Sequence, residues 1–144
     1  MKLVVDASVA LSWVLPDENA QYPNAALEQV IAEGAAVPSI WPAEIANGLL
    51  MAVRRKRIEV DRVPRALLLF ESLRIEVDSR GARESVRHVF DAGWASGLTA
   101  YDASYLDLCL RSGLVLATQD DALARAAKRA GAAVFQGKGP GGRA

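Results

Sequence analysis

Short apolar runs alternate with helix-like segments along nearly the whole chain, and this alternation limits the possible folds more than any other feature. About five runs have the length and composition of buried strands: Lys2–Val5, Ala35–Val37, Arg74–Val77, Leu114–Ala117 and Ala132–Phe135. The segments between them have helical spacing or helix-ending residues: Ala7–Leu15, Ala20–Glu33, Pro42–Arg57, Asp61–Leu73, Ala82–Ser96, Thr99–Ser112 and Asp121–Ala130. Strands joined through helices favour a mainly parallel sheet, so the sequence predicts an α/β domain with helices on both faces.

The chain has the size and composition of one domain. Its 144 residues are 51% hydrophobic, which is enough for a single core, and we place the domain at residues 1–136. Residues 137–144 form a glycine-rich tail, which we expect to be flexible. The sequence has no membrane span and its start is charged too early for a signal peptide. Because Cys109 is the only cysteine, an internal disulfide is excluded, and we expect a cytoplasmic protein.

Four acidic residues occupy positions where an open parallel sheet collects functional groups, beyond the carboxyl ends of its strands. Asp6 ends the first strand, Asp120 follows the fourth, and Glu44 and Asp102 lie in the first turns of helices. Each has a structural alternative, because the helix dipole favours acids at helix N-termini. Their neighbours are mostly apolar, however, which favours half-buried carboxylates. Carboxylates brought together need a counter-charge, and all-oxygen ligands select Mg²⁺ or Mn²⁺.

Several other kinds of catalytic site do not fit the sequence. His88 is the only histidine, so a ribonuclease with two histidines is excluded within one chain. An aspartate-nucleophile phosphatase would need a second aspartate where Ser8 stands. A receiver domain would need a lysine after its last strands, and Lys138 lies in the glycine-rich tail instead.

Four segments resemble the successive motifs of PIN-domain proteins, and in particular bacterial toxins of the VapC type. These segments are Val4–Ser8, Pro38–Asn47, Leu98–Ala103 and Leu116–Asp120, and the similarity ends after Gln136. The resemblance implies a three-layer PIN-like domain with Mg²⁺- or Mn²⁺-dependent endoribonuclease activity. It also implies a homodimer that is silenced by a cognate antitoxin. A longer flap-type DNA nuclease fits less well, so RNA is the expected substrate.

The resemblance assigns roles to individual residues. Asp6, Glu44, Asp102 and Asp120 match the acidic cluster, with Ser8 and Thr118 as hydroxyls beside it and Asn47 as a polar side chain one helical turn after the motif glutamate. Asp121 is an alternative to its neighbour, but the spacing Thr118-x-Asp120 favours Asp120. The implied chemistry is hydrolysis of a phosphodiester by activated water, which leaves 5′-phosphate and 3′-hydroxyl ends.

Substrate and partner contacts are less determined by the sequence. Lys plus Arg equals Asp plus Glu at 17 each, so any RNA contact must come from a local patch. The densest basic run, Arg54–Arg57, either contacts RNA or is an ordinary helix C-terminus, where cations complement the dipole. An antitoxin would occupy a cleft among the early helices, Ala7–Leu15, Ala20–Glu33 and Ala43–Arg57. The alternative is a non-catalytic PIN-like binding domain.

Overall fold

The computed structural model describes residues 1–16 and 18–140, and within these its sheet has four strands. They are β1 (Leu3–Val5), β2 (Ala35–Val37), β3 (Ile75–Val77) and β4 (Val115–Ala117). The helices are α1 (Ala7–Leu11), α2 (Gln21–Glu33), α3 (Trp41–Arg54), α4 (Val63–Ser72), α5 (Ala82–Ser96), α6 (Ala100–Ser112) and α7 (Asp121–Arg129), with a 3-10 turn at Val60–Arg62. The predicted alternation of strands and helices is therefore confirmed.

The strand order creates a crevice beside the first strand. All pairings are parallel and the order is β3-β2-β1-β4, so Leu3 lies between Ala35 and Val115. The chain builds the sheet outward through β2 and β3 and then returns to the other side of β1. Such a reversal leaves a crevice at the carboxyl ends of the two strands that flank it, here β1 and β4.

Both faces of the sheet are covered. Leu3, Val4 and Val5 are each at most 1% exposed, although successive strand residues point to opposite faces. Helices α2 and α6 both contact β1, while α1 packs on α3. This close approach depends on Gly48, because a Cβ atom there would lie 2.3 Å from Cδ1 of Leu11. The arrangement is the predicted three-layer α/β architecture.

The predicted fifth strand, Ala132–Phe135, is wrong. This segment makes a single parallel bridge, Val134 to Leu116, with the Leu116 amide donating to the Ala133 carbonyl and the Phe135 amide donating to the Leu116 carbonyl. The Phe135 carbonyl accepts a hydrogen bond from the hydroxyl of Tyr22 instead of extending the ladder. The sheet consequently ends at β4.

Helix ends differ from the predictions where the chain turns early. α1 ends at Leu11 and is followed by turns, while α3 ends at Arg54 rather than Arg57 because Lys56 adopts a left-handed conformation with φ of 58°. α2 begins at Gln21, and its N-cap residue, Ala20, makes no side-chain capping hydrogen bond. A 3-10 turn precedes α4, which carries Pro64 in its first turn.

The last residues that the structure describes lie beside α2. Gly139 and Pro140 line a surface cavity together with Gln29 and Glu33 of α2, and residues 141–144 of the predicted tail lie outside the described residues. The flexibility of the tail stays a prediction. In the part of the chain that the structure describes, no helix is both long and apolar enough to cross a membrane.

Candidate active site

Asp6 lies at the centre of the crevice, directly after β1. It is the N-cap of α1, and its Oδ1 accepts a 3.2 Å hydrogen bond from the amide of Ser8. Its Oδ2 accepts a 2.8 Å hydrogen bond from Oγ1 of Thr118, which follows β4. The side chain is 9% exposed. The strand end and the two hydrogen bonds hold this carboxylate in one orientation, which is what a ligand-binding group requires.

Thr118 connects Asp6 to Asp120 across the crevice. Its hydroxyl donates to Asp6 and accepts a 3.0 Å hydrogen bond from the amide of Asp120. Asp120 caps α7, because its Oδ1 accepts a 3.0 Å hydrogen bond from the amide of Leu123. Asp120 therefore does act as a helix cap, as acidic residues at helix N-termini often do. It uses one carboxylate oxygen, and the side chain still lines the same cavity as Asp6.

Glu44 enters the site from the first turn of α3. Its Oε1 accepts a 2.6 Å hydrogen bond from the hydroxyl of Tyr105 on α6. Burial raises the pKa of Glu44, the Tyr105 hydrogen bond opposes that rise, and the charges of Asp6 and Asp102 raise the pKa further. The carboxyl group therefore resists ionisation in a site that has no cation.

Asp102 enters from the first turn of α6. Thr99 caps this helix by accepting a hydrogen bond of 3.3 Å from the amide of Asp102. Partial burial raises the pKa of Asp102, and the charges of Asp120 and Asp6 add to the rise. Because the charges of Asp6, Asp102 and Asp120 raise the pKa of Glu44 or Asp102, the four acids share one electrostatic environment.

The structure brings the sequence-predicted site residues together at one cavity of about 370 Å³. Its lining includes Asp6, Ser8, Glu44, Asn47, Asp102 and Asp120. Thr118 lies behind Asp6 and is 5% exposed, so it positions the acid and does not face the cavity. Asp121 is exposed in the first turn of α7 and is not part of the lining, so the geometry favours Asp120 over its neighbour.

The donor set suits a hard divalent cation. Every polar side chain that lines the cavity offers an oxygen atom, and burial together with the charges of neighbouring carboxylates raises the pKa values of Glu44 and Asp102. Within residues 1–16 and 18–140, no three His, Cys, Asp or Glu side chains have the spacing of a preformed metal site.

Two tyrosines that support the site were missed from the sequence. The hydroxyl of Tyr105 binds Glu44 and accepts a 3.3 Å hydrogen bond from the amide of Ala7, and burial raises its pKa. The hydroxyl of Tyr22 accepts a 3.2 Å hydrogen bond from the amide of Thr118. Tyr105 follows Asp102 by one helical turn on α6, and that spacing was a signal that could have identified it. Tyr22 has no comparable signal.

This fold, with an acid-lined crevice at its switch point, defines the class of protein. The family model described as PIN domain matches residues 3–129, and the chain belongs to the PIN-domain family. The crystal structure of PAE2754 from Pyrobaculum aerophilum has a TM-score of 0.66 and 28% sequence identity, over 88% of this chain and 87% of that one. The crystal structure of FitAcB from Neisseria gonorrhoeae has a TM-score of 0.58 and 23% identity, over 94% and 97% of the two chains, and shows likeness of fold.

Within this family, the chain groups with the VapC proteins. It is 33% identical to Ribonuclease VapC9 of Mycobacterium tuberculosis over 120 residues, which cover 82% of this chain and 85% of that protein. It is 30% identical to Ribonuclease VapC3 of Pyrobaculum aerophilum over 128 residues, which cover 86% and 93% of the two proteins. The resemblance to VapC-type toxins noted from the motifs is thereby confirmed.

Proposed function

We propose that this chain is a Mg²⁺- or Mn²⁺-dependent endoribonuclease that acts as the toxin of a toxin–antitoxin pair. One observation carries the proposal: carboxylates from four separate elements line a single cavity at the switch point of the sheet. The names of the VapC relatives support RNA as the substrate. RNA and a protein antitoxin are both cytoplasmic, so we place the activity there.

Asp6, Glu44, Asp102 and Asp120 are the residues that would hold the cation. When bound, the cation would polarise a phosphate oxygen and supply the positive charge that activates water for attack on phosphorus. Thr118 keeps the Asp6 carboxylate oriented through its 2.8 Å hydrogen bond. Breakage of the bond between phosphorus and the 3′ oxygen would leave 5′-phosphate and 3′-hydroxyl ends.

Three further residues contribute through position. Tyr105 donates to Glu44 and thereby favours its ionised form. Ser8 and Asn47 lie on the cavity wall, where a hydroxyl and an amide can donate hydrogen bonds to phosphate or ribose oxygens. These roles require that the acids be ionised, so activity should fall as the pH decreases into the range where Glu44 and Asp102 bind protons.

The partner proteins belong to the same proposal. An antitoxin segment that offers a basic side chain to the carboxylates would compete with the cation and silence the site. For the homodimer, the support is an exposed apolar face on α5: Phe90 is 64% exposed, Trp94 is 82% exposed, and their rings stack with centroids 6.2 Å apart. Exposed large aromatics on one helix face are typical of a surface that a second protein covers.

The decisive experiment uses the purified chain without any partner. RNA is incubated with it in Mg²⁺, Mn²⁺ or EDTA, and the ends of the products are mapped. We expect cleavage with either cation, none in EDTA, and 5′-phosphate ends. If the wild-type protein leaves RNA intact with Mn²⁺ present, and also fails to arrest growth when expressed alone, the non-catalytic binding domain becomes the better interpretation.

A further inference from the structure

A groove leads away from the acid-lined cavity along α1. The cavity shares Ser8 and Leu11 with a second cavity of about 400 Å³. The second cavity shares Pro16 and Arg57 with a third of about 520 Å³. The three cavities therefore adjoin one another in series, from the carboxylates to the surface beyond the end of α3. A chain-like ligand bound at the acids could follow this path.

The far end of the path is strongly basic. We call it the basic cleft, and its polar lining consists of Lys56, Arg57, Glu59, Arg62 and Arg65. All four cations are exposed, and within residues 1–16 and 18–140 none of them has an ion pair. The chain as a whole has a formal net charge of zero, so this concentration of positive charge is local.

The backbone after α3 directs two of these cations into the cleft. The amide of Lys56 donates to the carbonyl of Val53, and the amide of Arg57 donates to the carbonyl of Ala52, which together form a Schellman ending. The guanidinium of Arg57 then donates a 3.2 Å hydrogen bond to the carbonyl of Pro16, and both residues line the two outer cavities.

Lys56 is an unusual residue for its position. Its φ of 58° is left-handed, and it is the only non-glycine residue with positive φ in the described part of the chain. Glycine is the residue that a Schellman ending prefers there, because a side chain is strained in that conformation. For the fold itself, a lysine here offers a cation near the negative end of a helix dipole but no backbone advantage. Its contribution is a charge at the mouth of the basic cleft.

The other wall of the cleft is apolar. Trp13 and Val14 line it, and the indole nitrogen of Trp13 is already committed to a 2.8 Å hydrogen bond with the carbonyl of Pro23. The ring of Trp13 packs on one side against Phe70, with centroids 6.4 Å apart, and its remaining surface offers the cleft an apolar contact without a free hydrogen-bond donor. An apolar wall opposite several cations suits a nucleic-acid strand, whose bases and sugars stack while its phosphates pair.

We propose that the basic cleft binds the phosphates of the RNA strand at a distance from the cleaved bond, and that the groove along α1 carries the strand between the two sites. This inference rests on the proposed function. Guanidinium groups without ion pairs are well suited to phosphate, because they can donate two parallel hydrogen bonds to its oxygens. An antitoxin segment fits less well, because it would have to be basic at the carboxylates and acidic at the cleft.

The test measures binding of a short fluorescent single-stranded RNA over a series of salt concentrations, in an Asp102→Asn background that is not expected to cleave it. Arg62→Gln with Arg65→Gln removes two cleft cations. The matched control is Arg54→Gln with Arg55→Gln. It also removes two cations, and these belong to the basic run Arg54–Arg57 but do not line the cleft. Removing a cation that pairs with one phosphate should lower the salt slope by about 0.7. We expect about a 10- to 30-fold loss of affinity near 0.1 M salt for the cleft pair, and little change for the control.

A second variant separates binding from folding. Lys56→Gly removes one cleft cation and relieves the left-handed strain, so the melting temperature should stay level or rise. RNA affinity should nevertheless fall, by about fivefold near 0.1 M salt. A variant that is at least as stable and yet binds RNA less well can be explained only by the loss of the charge.

The outcomes distinguish the basic cleft from the proposed function. If the wild-type chain cleaves RNA but the cleft variants bind RNA like the parent, the basic cleft is not an RNA site. The same conclusion follows if the cleft pair and the control pair lose affinity equally, or if the cleft variants weaken only the binding of the antitoxin. If the wild-type chain neither cleaves nor binds RNA, the proposed function fails and the cleft proposal fails with it.

Discussion

The hydroxyl of Tyr105 lies 2.6 Å from Oε1 of Glu44 and donates a hydrogen bond to it, which joins α6 to α3 at the edge of the acid-lined cavity. The same hydroxyl accepts a hydrogen bond from the amide of Ala7 at the start of α1. One buried side chain therefore fixes the relative positions of three elements that carry site residues. This arrangement makes Tyr105 a positioning residue whose effect can be measured through Glu44.

Tyr105→Phe should move the pH dependence of cleavage as well as its rate. The hydrogen bond opposes the rise in the pKa of Glu44, so its loss should raise that pKa further. Because Glu44 is expected to act ionised, the acid limb of the pH–rate profile should move to higher pH. A purely structural role would lower the rate at all pH values without moving the limb.

Asp102→Asn should reduce RNA cleavage by at least about 100-fold. Removing a group that only supports a metal ligand already lowers metal affinity or activity by about 10- to 100-fold, and Asp102 is expected to bind the cation directly. Asparagine keeps the shape of the side chain and the helix start, so circular dichroism should be unchanged. Near-normal cleavage by this variant would show that Asp102 does not hold the cation.

The same substitution should stabilise the metal-free protein. Asp102 has a raised pKa, so the folded state keeps its proton to higher pH than the unfolded chain does. The free energy of unfolding should therefore fall as the pH rises from the ordinary carboxyl range, near 4, through the raised value. At pH 7 the variant should melt at a higher temperature than the parent, and in acid the difference should disappear. Mn²⁺ should stabilise the parent more than the variant.

Asp120 and Asp121 can be separated by single alanine substitutions. Asp120 lines the cavity and caps α7, whereas Asp121 is exposed in the first turn of α7 and outside the lining. Asp120→Ala should cost far more cleavage activity than Asp121→Ala, together with about 1 kcal/mol of stability from removal of the cap. Asp120→Asn keeps a capping oxygen and should recover stability without recovering activity. Equal losses of activity at the two positions would contradict the assignment.

Asp107 is the centre of a charged network on α6. It accepts hydrogen bonds from Arg80 and Arg111, and its side chain is 7% exposed. Asp107→Ala would leave the mostly buried guanidinium of Arg80 without its main partner and should destabilise the fold by about 3 kcal/mol. Asp91→Ala, an exposed change on α5, should have almost no effect. Urea unfolding at pH 7 measures both.

The sequence predicted those parts of the fold and site that depend on local pattern. Alternating apolar runs and helix-ending residues were sufficient for the α/β architecture, and the positions of Asp6 and Asp120 after strands predicted their meeting in the crevice. The convergence of Glu44 and Asp102 with them could not be derived from spacing alone. It depends on the packing of α3 and α6 against the sheet, and only the family resemblance anticipated it.

What the sequence could not predict depends on contacts between distant segments. Tyr22 binds the backbone of Thr118 across 96 positions of sequence, and no local pattern marks such a pair. The predicted strand Ala132–Phe135 has strand-like composition but makes only a single bridge to Leu116, and the carbonyl of Phe135 bonds to the hydroxyl of Tyr22 instead. The sequence did not decide whether Arg54–Arg57 contacts RNA. The path of the backbone after Arg55 determines which of these cations line the cleft, and the sequence does not show that path.

The exposed aromatic pair on α5 provides the last prediction, a test of the proposed homodimer. Phe90→Ser with Trp94→Ser removes the stacked rings from a face that the fold does not bury, so the monomer should keep its stability. We expect light scattering to show a dimer for the wild type and a monomer for this variant. The matched control is Leu67→Ser with Leu68→Ser, which removes two exposed apolar side chains from α4 and should leave the dimer intact. If the control dissociates and the α5 variant does not, the interface lies on α4. A monomeric wild type at micromolar concentration would contradict the proposed homodimer.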